Sequence, residues 1–393
     1  MPVFEKHPVP IPLDIFPERL RPIMAVQGPD PRKAVLAAAE VPMPLDTQVA
    51  CLAFLSRDED RDLRTRACGS LAAMDREALT QATLSSHPGI LDALVRAEAR
   101  SEVLAVYLTN HAVADQTLLY GACDFKDPSL LDLIGLNQER MARLPALVEA
   151  LYLNPATAMG TAQRVIEFAV RQHLPIERIP GFAEISTAMG VGGLAVEPLD
   201  QELVEALLTP DAGAEVLASA AADLAEEAAF QEANAEAEAD TESTEGDAQG
   251  GAMSETIHVK VRSMNLPAKI RLAIVGNATA RALLINDRNR VVSDSVLENP
   301  GLTLKEVSQF ARNKNLSEDI IRKIASKREW VRAYQVKLAL LFNPKTPGGA
   351  AGRFLRFMRR NDLKAISRSR EVSRPVARAA QEEISRREQP GGK

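Results

Sequence analysis

"LLFNPKTPGGAAGRFLRFMRR", residues 340–360, joins an apolar run, an Asn-Pro-x-Thr turn, three glycines and four arginines. Alone, it resembles a loop that grips phosphate. A phosphate loop needs GxxxxGK[ST] after a buried strand, so that backbone N–H groups and a lysine converge on the anion. No strand pattern precedes these glycines, and Arg353-Phe354 stands where Lys-Ser/Thr belongs. Small residues that let neighbouring helices approach closely are the better reading.

A second stretch explains the first. Residues 136–174, "LNQERMARLPALVEALYLNPATAMGTAQRVIEFAVRQHL", lie without a gap over 325–363, "ASKREWVRAYQVKLALLFNPKTPGGAAGRFLRFMRRNDL", at an offset of 189. Ala150/Ala339, Leu151/Leu340, Asn154/Asn343, Pro155/Pro344, Thr157/Thr346, Gly160/Gly349 and Phe168/Phe357 are among the identical pairs. Upstream, Asn110 precedes Asn154 by 44 residues, and Asn299 precedes Asn343 by the same 44. The pattern is an internal duplication of a module of short helices.

The joints carry helix signals. Thr303 with Glu306 forms a capping box, in which hydroxyl and carboxylate satisfy free N–H groups at a helix start. Asn299 is expected to take the left-handed conformation that ends a helix, with Pro300 barring its continuation. Thr346 is expected to cap the next helix, with Pro347 at its first position. Ile320, Ile321, Ile324, Val331, Tyr334, Leu338 and Leu341 recur at helical spacing, with a break near Ser326.

Composition agrees. Aromatics make up 4% of the 393 residues, whereas sheets favour aromatic and β-branched side chains. The expected class is all-α: two stacked-helix, HEAT-like α-solenoid modules related by duplication and joined by an acidic linker. The boundaries are 1–44 for a proline-rich segment, 45–210 and 257–390 for the modules, and 211–256 for the linker. The first 44 residues hold ten prolines, and their apolar residues favour packing on the fold. Cys51, Cys68 and Cys123 are scattered, which suits buried thiols in a reducing compartment. With neither a signal-peptide core nor about 18 consecutive apolar residues, the expected location is the cytoplasm of a bacterial cell, away from membranes.

Charge divides the chain. Residues 257–393 contain 29 Lys+Arg against 12 Asp+Glu, and residues 1–256 contain 18 against 41. Balances of +17 and −23 underlie the net charge of −6. Such asymmetry bears on partners and not on fold.

The units "LYLNPATAMGTAQRVIEFA", "VLENPGLTLKEVSQFARNKNLSEDIIRKIA" and "LLFNPKTPGGAAGRFLRFM" resemble those of HEAT-like and leucine-rich-variant repeat proteins. "LPAKIRLAIVGNATARALLINDRNRVVSDSVLENP" is similar to a module common in deltaproteobacteria, including myxobacteria. This likeness implies a stacked-helix scaffold without catalytic residues or a cofactor. Two modules around an acidic linker also resemble myxobacterial polarity proteins that assist GTPase activation of a small Ras-like GTPase, which implies such a partner.

The candidate binding surface is basic: Arg353, Arg356, Arg359, Arg360, Lys364, Arg368, Arg370, Arg374 and Arg378, with the first four read as one helical stripe beside Phe354 and Phe357. It suits an acidic protein, the chain's own linker or a nucleic acid. The lack of a stacking or DNA-binding motif disfavours the last. Trp330 and Tyr334 are candidate interface aromatics, against the commoner fate of aromatics in an inter-helix core. His87 and His111 occupy joints, where capping is expected, and no metal spacing or nucleophile signature is present. The expected function is binding without catalysis, as a protein scaffold or adaptor. Regulation of a small GTPase and nucleic-acid binding are the alternatives.

Overall fold

The computed structural model describes residues 4–28, 30–84, 86–191, 201–208 and 260–388, and among them the regular secondary structure is entirely helical. The chain divides into two units, residues 1–182 and 183–393. The expected linker, 211–256, lies outside the described residues.

In the first unit a 3-10 turn (Leu13–Ile15) is followed by α1 (Arg21–Met24), α2 (Pro31–Ala37), α3 (Leu45–Leu55) and α4 (Arg61–Ala73). Next come α5 (Arg76–Thr83), α6 (Pro88–Ala97), α7 (Ser101–Thr109) and α8 (Asp115–Asp124). The unit closes with α9 (Pro128–Gly135), α10 (Gln138–Arg143), α11 (Pro145–Leu153) and α12 (Met159–Arg171). After α13 (Phe182–Val191), the second unit holds α14 (Gln201–Leu208), α15 (Leu266–Val275), α16 (Ala278–Leu284) and α17 (Arg290–Val296). It continues with α18 (Leu304–Arg312), α19 (Glu318–Ser326), α20 (Arg328–Val331) and α21 (Tyr334–Phe342). The last helices are α22 (Gly348–Leu355), α23 (Arg360–Arg368) and α24 (Arg374–Glu388).

Local chemistry sets these boundaries. Asp30, Asp60, Asp75, His87 and Asp127 each accept an N–H from two residues on, which starts α2, α4, α5, α6 and α9. Asn289 does the same for α17, and Asn265, Asn277 and Ser317 accept an N–H from three residues on at the starts of α15, α16 and α19. The Thr303–Glu306 capping box is present at α18. Helices α5 to α12 start at 76, 88, 101, 115, 128, 138, 145 and 159, and α15 to α22 at 266, 278, 290, 304, 318, 328, 334 and 348. Each shift is 189 or 190.

Helices this short bury their apolar stripes only by stacking. In the first unit one row packs α3 on α6, α6 on α8 and α8 on α11, while another packs α5 on α7, α7 on α9 and α9 on α12. The second unit repeats two of these steps, α15 on α17 and α18 on α21. The rows enclose an aliphatic core, including Leu91, Leu131, Leu151, Ile166, Leu272, Ile321 and Leu340.

The asparagine joints work differently from expectation. Asn154 and Asn343 have φ of −78° and −89°, so neither is left-handed, and Asn299 is likewise absent from the positive-φ residues. Instead, the side chain bridges two helices. Asn343 Nδ2 donates to the carbonyls of Ala311 (2.9 Å) and Asn313 (3.1 Å), and its Oδ1 accepts from Lys345 N (2.9 Å). Asn154 makes the same set with Ala122, Phe125 and Ala156, and Asn299 with Ala273, Gly276 and Gly301. Asn110 reaches Thr83 O at 3.0 Å. A helix end leaves carbonyls without partners; one carboxamide satisfies those of the preceding helix in its row and pins the following turn. Thr346 also departs from its expected capping role. Its hydroxyl turns back to Leu340 O, and α22 starts behind Pro347 with no side-chain cap.

The boundaries differ too. The first unit ends at Phe182, not at 210, because Asn277 donates its N–H to Leu207 O (2.8 Å) and its Nδ2 to Ala206 O (2.9 Å), tying α14 to the second unit. The described part of the proline-rich segment belongs to the first unit. Phe16 is buried edge-on against Phe54, and Gly89 leaves room for the Pro10 carbonyl, which would stand 2.3 Å from any Cβ placed there.

Candidate functional site

All nine basic residues singled out in the sequence are exposed. They do not form one helical stripe. Helix α22 ends at Leu355, and Arg359 is the N-cap of α23 without a capping side chain, so a turn separates Arg353 and Arg356 from Arg360. On α23, Leu363 and Ile366 face the core, while Arg360, Lys364 and Arg368 recur at i, i+4 and i+8 on the solvent side. Helix α24 packs on both α22 and α23. Arg387 fixes it there by donating to the carbonyls of Met358 (2.8 Å) and Arg356 (2.7 Å) while paired with Glu383 (2.9 Å).

Electrostatically this region is one-sided. Arg378 pairs with Glu382 at 3.2 Å, but both are exposed and the pair is screened. Arg353, Arg356, Lys364, Arg368, Arg370 and Arg374 have no acidic partner among the described residues. Cations at i and i+4 repel each other, and cations at a helix N-terminus oppose its dipole. Helix α23 carries both features, and neither stabilises it.

Nor do the glycines serve close packing. A Cβ at Gly348, Gly349 or Gly352 would meet nothing within 4 Å, so the expected helix approach is absent. They leave the outer side of α22 bare. Beyond it Phe357 is 64% exposed beneath the Lys337 ammonium, 4.8 Å from the ring centre, whereas its counterpart Phe168 is 6% exposed. The cause is helix length. Helix α12 runs on to Arg171 and turns Phe168 inward, while α22 stops two residues before Phe357.

Both candidate aromatics have structural roles. Trp330 is buried at 9% exposure beneath Lys327 Nζ, 4.3 Å from its centre, so it is not an exposed anchor. The Tyr334 hydroxyl accepts from Arg359 N (3.0 Å) and donates to Asp362, tying α21 to the start of α23. Burial, and then this bond to the Asp362 carboxylate, raise the phenol above its ordinary range. His87 caps α6 through Nδ1, accepting from Gly89 N at 3.0 Å. His111 caps nothing; its backbone carbonyl accepts from Arg140 (3.0 Å). Cys51 is buried, which pushes its thiol up to about 12, whereas Cys68 and Cys123 are half-buried.

Two features escaped sequence reading. One is a cleft of about 280 Å³ lined by Arg312, Lys314, Leu338, Ala339, Phe342 and Glu371. The Lys314–Glu371 ion pair (2.9 Å) spans it. The other is a buried polar node. Asp92 on α6, with no exposure, accepts from Arg96 (3.0 Å), Arg57, Thr117 (2.6 Å) and Val9 N (3.0 Å). Burial pulls the Arg57 guanidinium below its usual range, against the attraction of Asp92. At the equivalent positions of the second unit, Arg281 pairs with Glu306 at 2.8 Å. The signal was available: Asp92/Arg281 and Thr117/Glu306 each lie 189 apart.

Among the described residues no helix is long and apolar enough to cross a membrane, and no His/Cys/Asp/Glu group is placed to hold a metal ion. Compared with protein families, curated proteins and solved structures, the chain shows no match.

Proposed function

We propose that the chain is a non-enzymatic protein-interaction scaffold, built by duplication of one HEAT-like helical module, whose C-terminal unit docks an acidic protein. The constant shift of helix starts and the repeated asparagine joints support the duplication. The exposed cations Lys364 and Arg368 on α23, with Arg353, Arg356, Arg370 and Arg374 around them, have no acidic partner among the described residues and carry the functional reading. A surface that costs helix stability while serving no packing role is explained by a partner that supplies the missing charge. A protein suits it better than a nucleic acid. Acidic groups (Asp362, Glu371, Glu382) are interspersed, and the exposed aromatic Phe357 already has Lys337 over its ring.

The test is co-purification from the native cell with wild type and with the triple variant R360E/K364E/R368E. An acidic protein recovered by wild type and lost with the variant is expected. Equal recovery, or recovery of nucleic acid alone, would overturn the reading. The likeness of layout to polarity regulators makes a small Ras-like GTPase one partner of this kind. A rise in its GTP hydrolysis on adding the chain would support that form.

A further inference from the structure

In the first unit residues 4–9 reach α8 directly and α11 through Arg178. Lys6 Nζ pairs with Asp124 at the end of α8 (2.8 Å). Phe4 lies beneath Arg178, 4.9 Å from its guanidinium carbon, and Arg178 is held by Glu149 of α11 (3.1 Å). From there the segment reaches α6, where Val9 N donates to Asp92 and Arg57 donates to Val9 O (2.7 Å). Phe4 and Phe16 are the buried anchors at its two ends, at 9% and 1% exposure.

The second unit's match for α8 and α11 is the seam between α18 and α21, and there the 280 Å³ cleft opens. Cys123, Phe125, Glu149 and Leu153 correspond at 189 to Arg312, Lys314, Leu338 and Phe342. A half-buried cysteine and a half-buried aromatic have become two exposed cations, and a buried carboxylate has become part of an apolar floor. The Lys314–Glu371 pair spanning them is about half exposed on each side, so it is a weak obstacle. Small-molecule pockets run to about 300–1,000 Å³; this cleft falls just short of that range and has room for one bulky side chain.

Building on the acidic-partner reading, we propose that the α18/α21 cleft is a docking groove for an extended acidic peptide of the partner protein. A bulky apolar side chain of that peptide seats on Leu338, Ala339 and Phe342. Its carboxylates meet Arg312 and Lys314, replacing Glu371 as the partner of the lysine. The first unit shows the arrangement with the opposite charge: a buried aromatic side chain beneath an arginine that α11 holds, and a lysine two residues on that pairs with a helix-end aspartate.

Two fluorescein-labelled dodecapeptides of Glu, Asp and Ser test it, one with a central Phe and one with Ser in that place. Their anisotropy is titrated with the full chain, with L338E, with K314E and with R360E/K364E/R368E. L338E places a glutamate where the first unit already carries one, and circular dichroism checks that each variant is folded. Wild type is expected to bind the Phe peptide at least tenfold more tightly, the scale of burying one such side chain. L338E should abolish that preference, and K314E should weaken both peptides. Equal affinity of wild type for the two peptides removes the cleft proposal while leaving the acidic-partner reading intact. So does a Phe preference that survives L338E. Weaker binding of both peptides to the triple variant, with the Phe preference kept, supports the cleft as a separate element. Unchanged binding to that variant counts against the reading and not against the cleft.

Discussion

The two units place helices at an offset of 189 or 190, yet they treat the same interior node with opposite charge. On α6 the node is Asp92, holding Arg57, Arg96 and Thr117. On α16 it is Arg281, holding Glu306 and the Gly276 carbonyl (2.9 Å). What the position demands is a buried group with its hydrogen bonds satisfied; the sign of the charge is free. The choice has a consequence at the surface. Asp92 accepts the backbone N–H of Val9 and so fastens the N-terminal segment over its row. Arg281 is occupied by its own unit, and the equivalent seam stays open.

The largest test of this comparison is removal of the node. Asp92→Ala leaves two arginines facing each other without their carboxylate, and breaking a buried ion pair from one side costs about 3–5 kcal/mol. Arg281→Ala takes the guanidinium from one Glu306 oxygen, while the other stays on the Thr303 cap. Urea unfolding should show the larger loss for Asp92→Ala and a smaller, measurable one for Arg281→Ala. Only Asp92→Ala should also expose the N-terminal segment to limited proteolysis, since Arg281 holds no such segment. A loss below about 1 kcal/mol at either site, the scale of an exposed pair, would break the equivalence.

Next in size are the joints. Asn154→Ala and Asn343→Ala each strand two carbonyls and one N–H at a buried turn. A loss of about 1–3 kcal/mol is expected for each, the cost of leaving buried polar groups unpaired. Equal values sharpen the view that one joint is used twice. Asn→Asp at the same positions distinguishes the mechanisms, because a carboxylate cannot donate to carbonyls and should be no better than alanine.

These joints show how far sequence reading reaches. Asn-Pro-x-Thr in register located the turns and the offset, because a turn is encoded by residues next to one another. Its mechanism was misread as a left-handed backbone, because the partners of Asn343 lie about 30 residues earlier in a different helix. The all-helical class and the break near Ser326 were legible from apolar spacing. The end of α22 was not. Gly348 to Arg356 fit one continuous helix with the residues that follow, and only the Tyr334 hydroxyl, reaching from α21 to Arg359 N, shows where the new helix starts. The basic residues were therefore identified correctly as exposed but assigned to one stripe where there are two groups. The cleft was invisible, since it arises from what does not cover α21.

Smaller effects separate α22 from α12. Gly349→Ala and Gly352→Ala place a methyl in open space within a helix. Each should stabilise the second unit by about 0.5–1 kcal/mol through helix propensity. A loss instead would mean that the bare side of α22 is already in use within the folded chain. If the partner approaches over these glycines, the same changes weaken its binding while raising the melting temperature.

The smallest expected change in stability lies at the start of α23, where fold and function make opposite demands on one residue. Arg359 is an N-cap that caps nothing, and its guanidinium lies 5.2 Å from the centre of the Tyr334 ring. Arg359→Ser gains a capping hydroxyl, about 1 kcal/mol, and loses an exposed cation–π contact of about 0.5–1 kcal/mol. It also removes a cation from the positive end of the helix dipole. Unfolding should therefore shift by a few tenths of a kcal/mol at most, towards greater stability. Binding of the acidic Phe dodecapeptide should fall several-fold, with its Phe preference unchanged, because the charge is lost while the cleft floor at Leu338 and Phe342 is untouched. A residue kept for the fold alone would lose stability and leave binding as it was. The two measurements move in opposite directions only if Arg359 is retained at the cost of its own helix, for a ligand that carries negative charge.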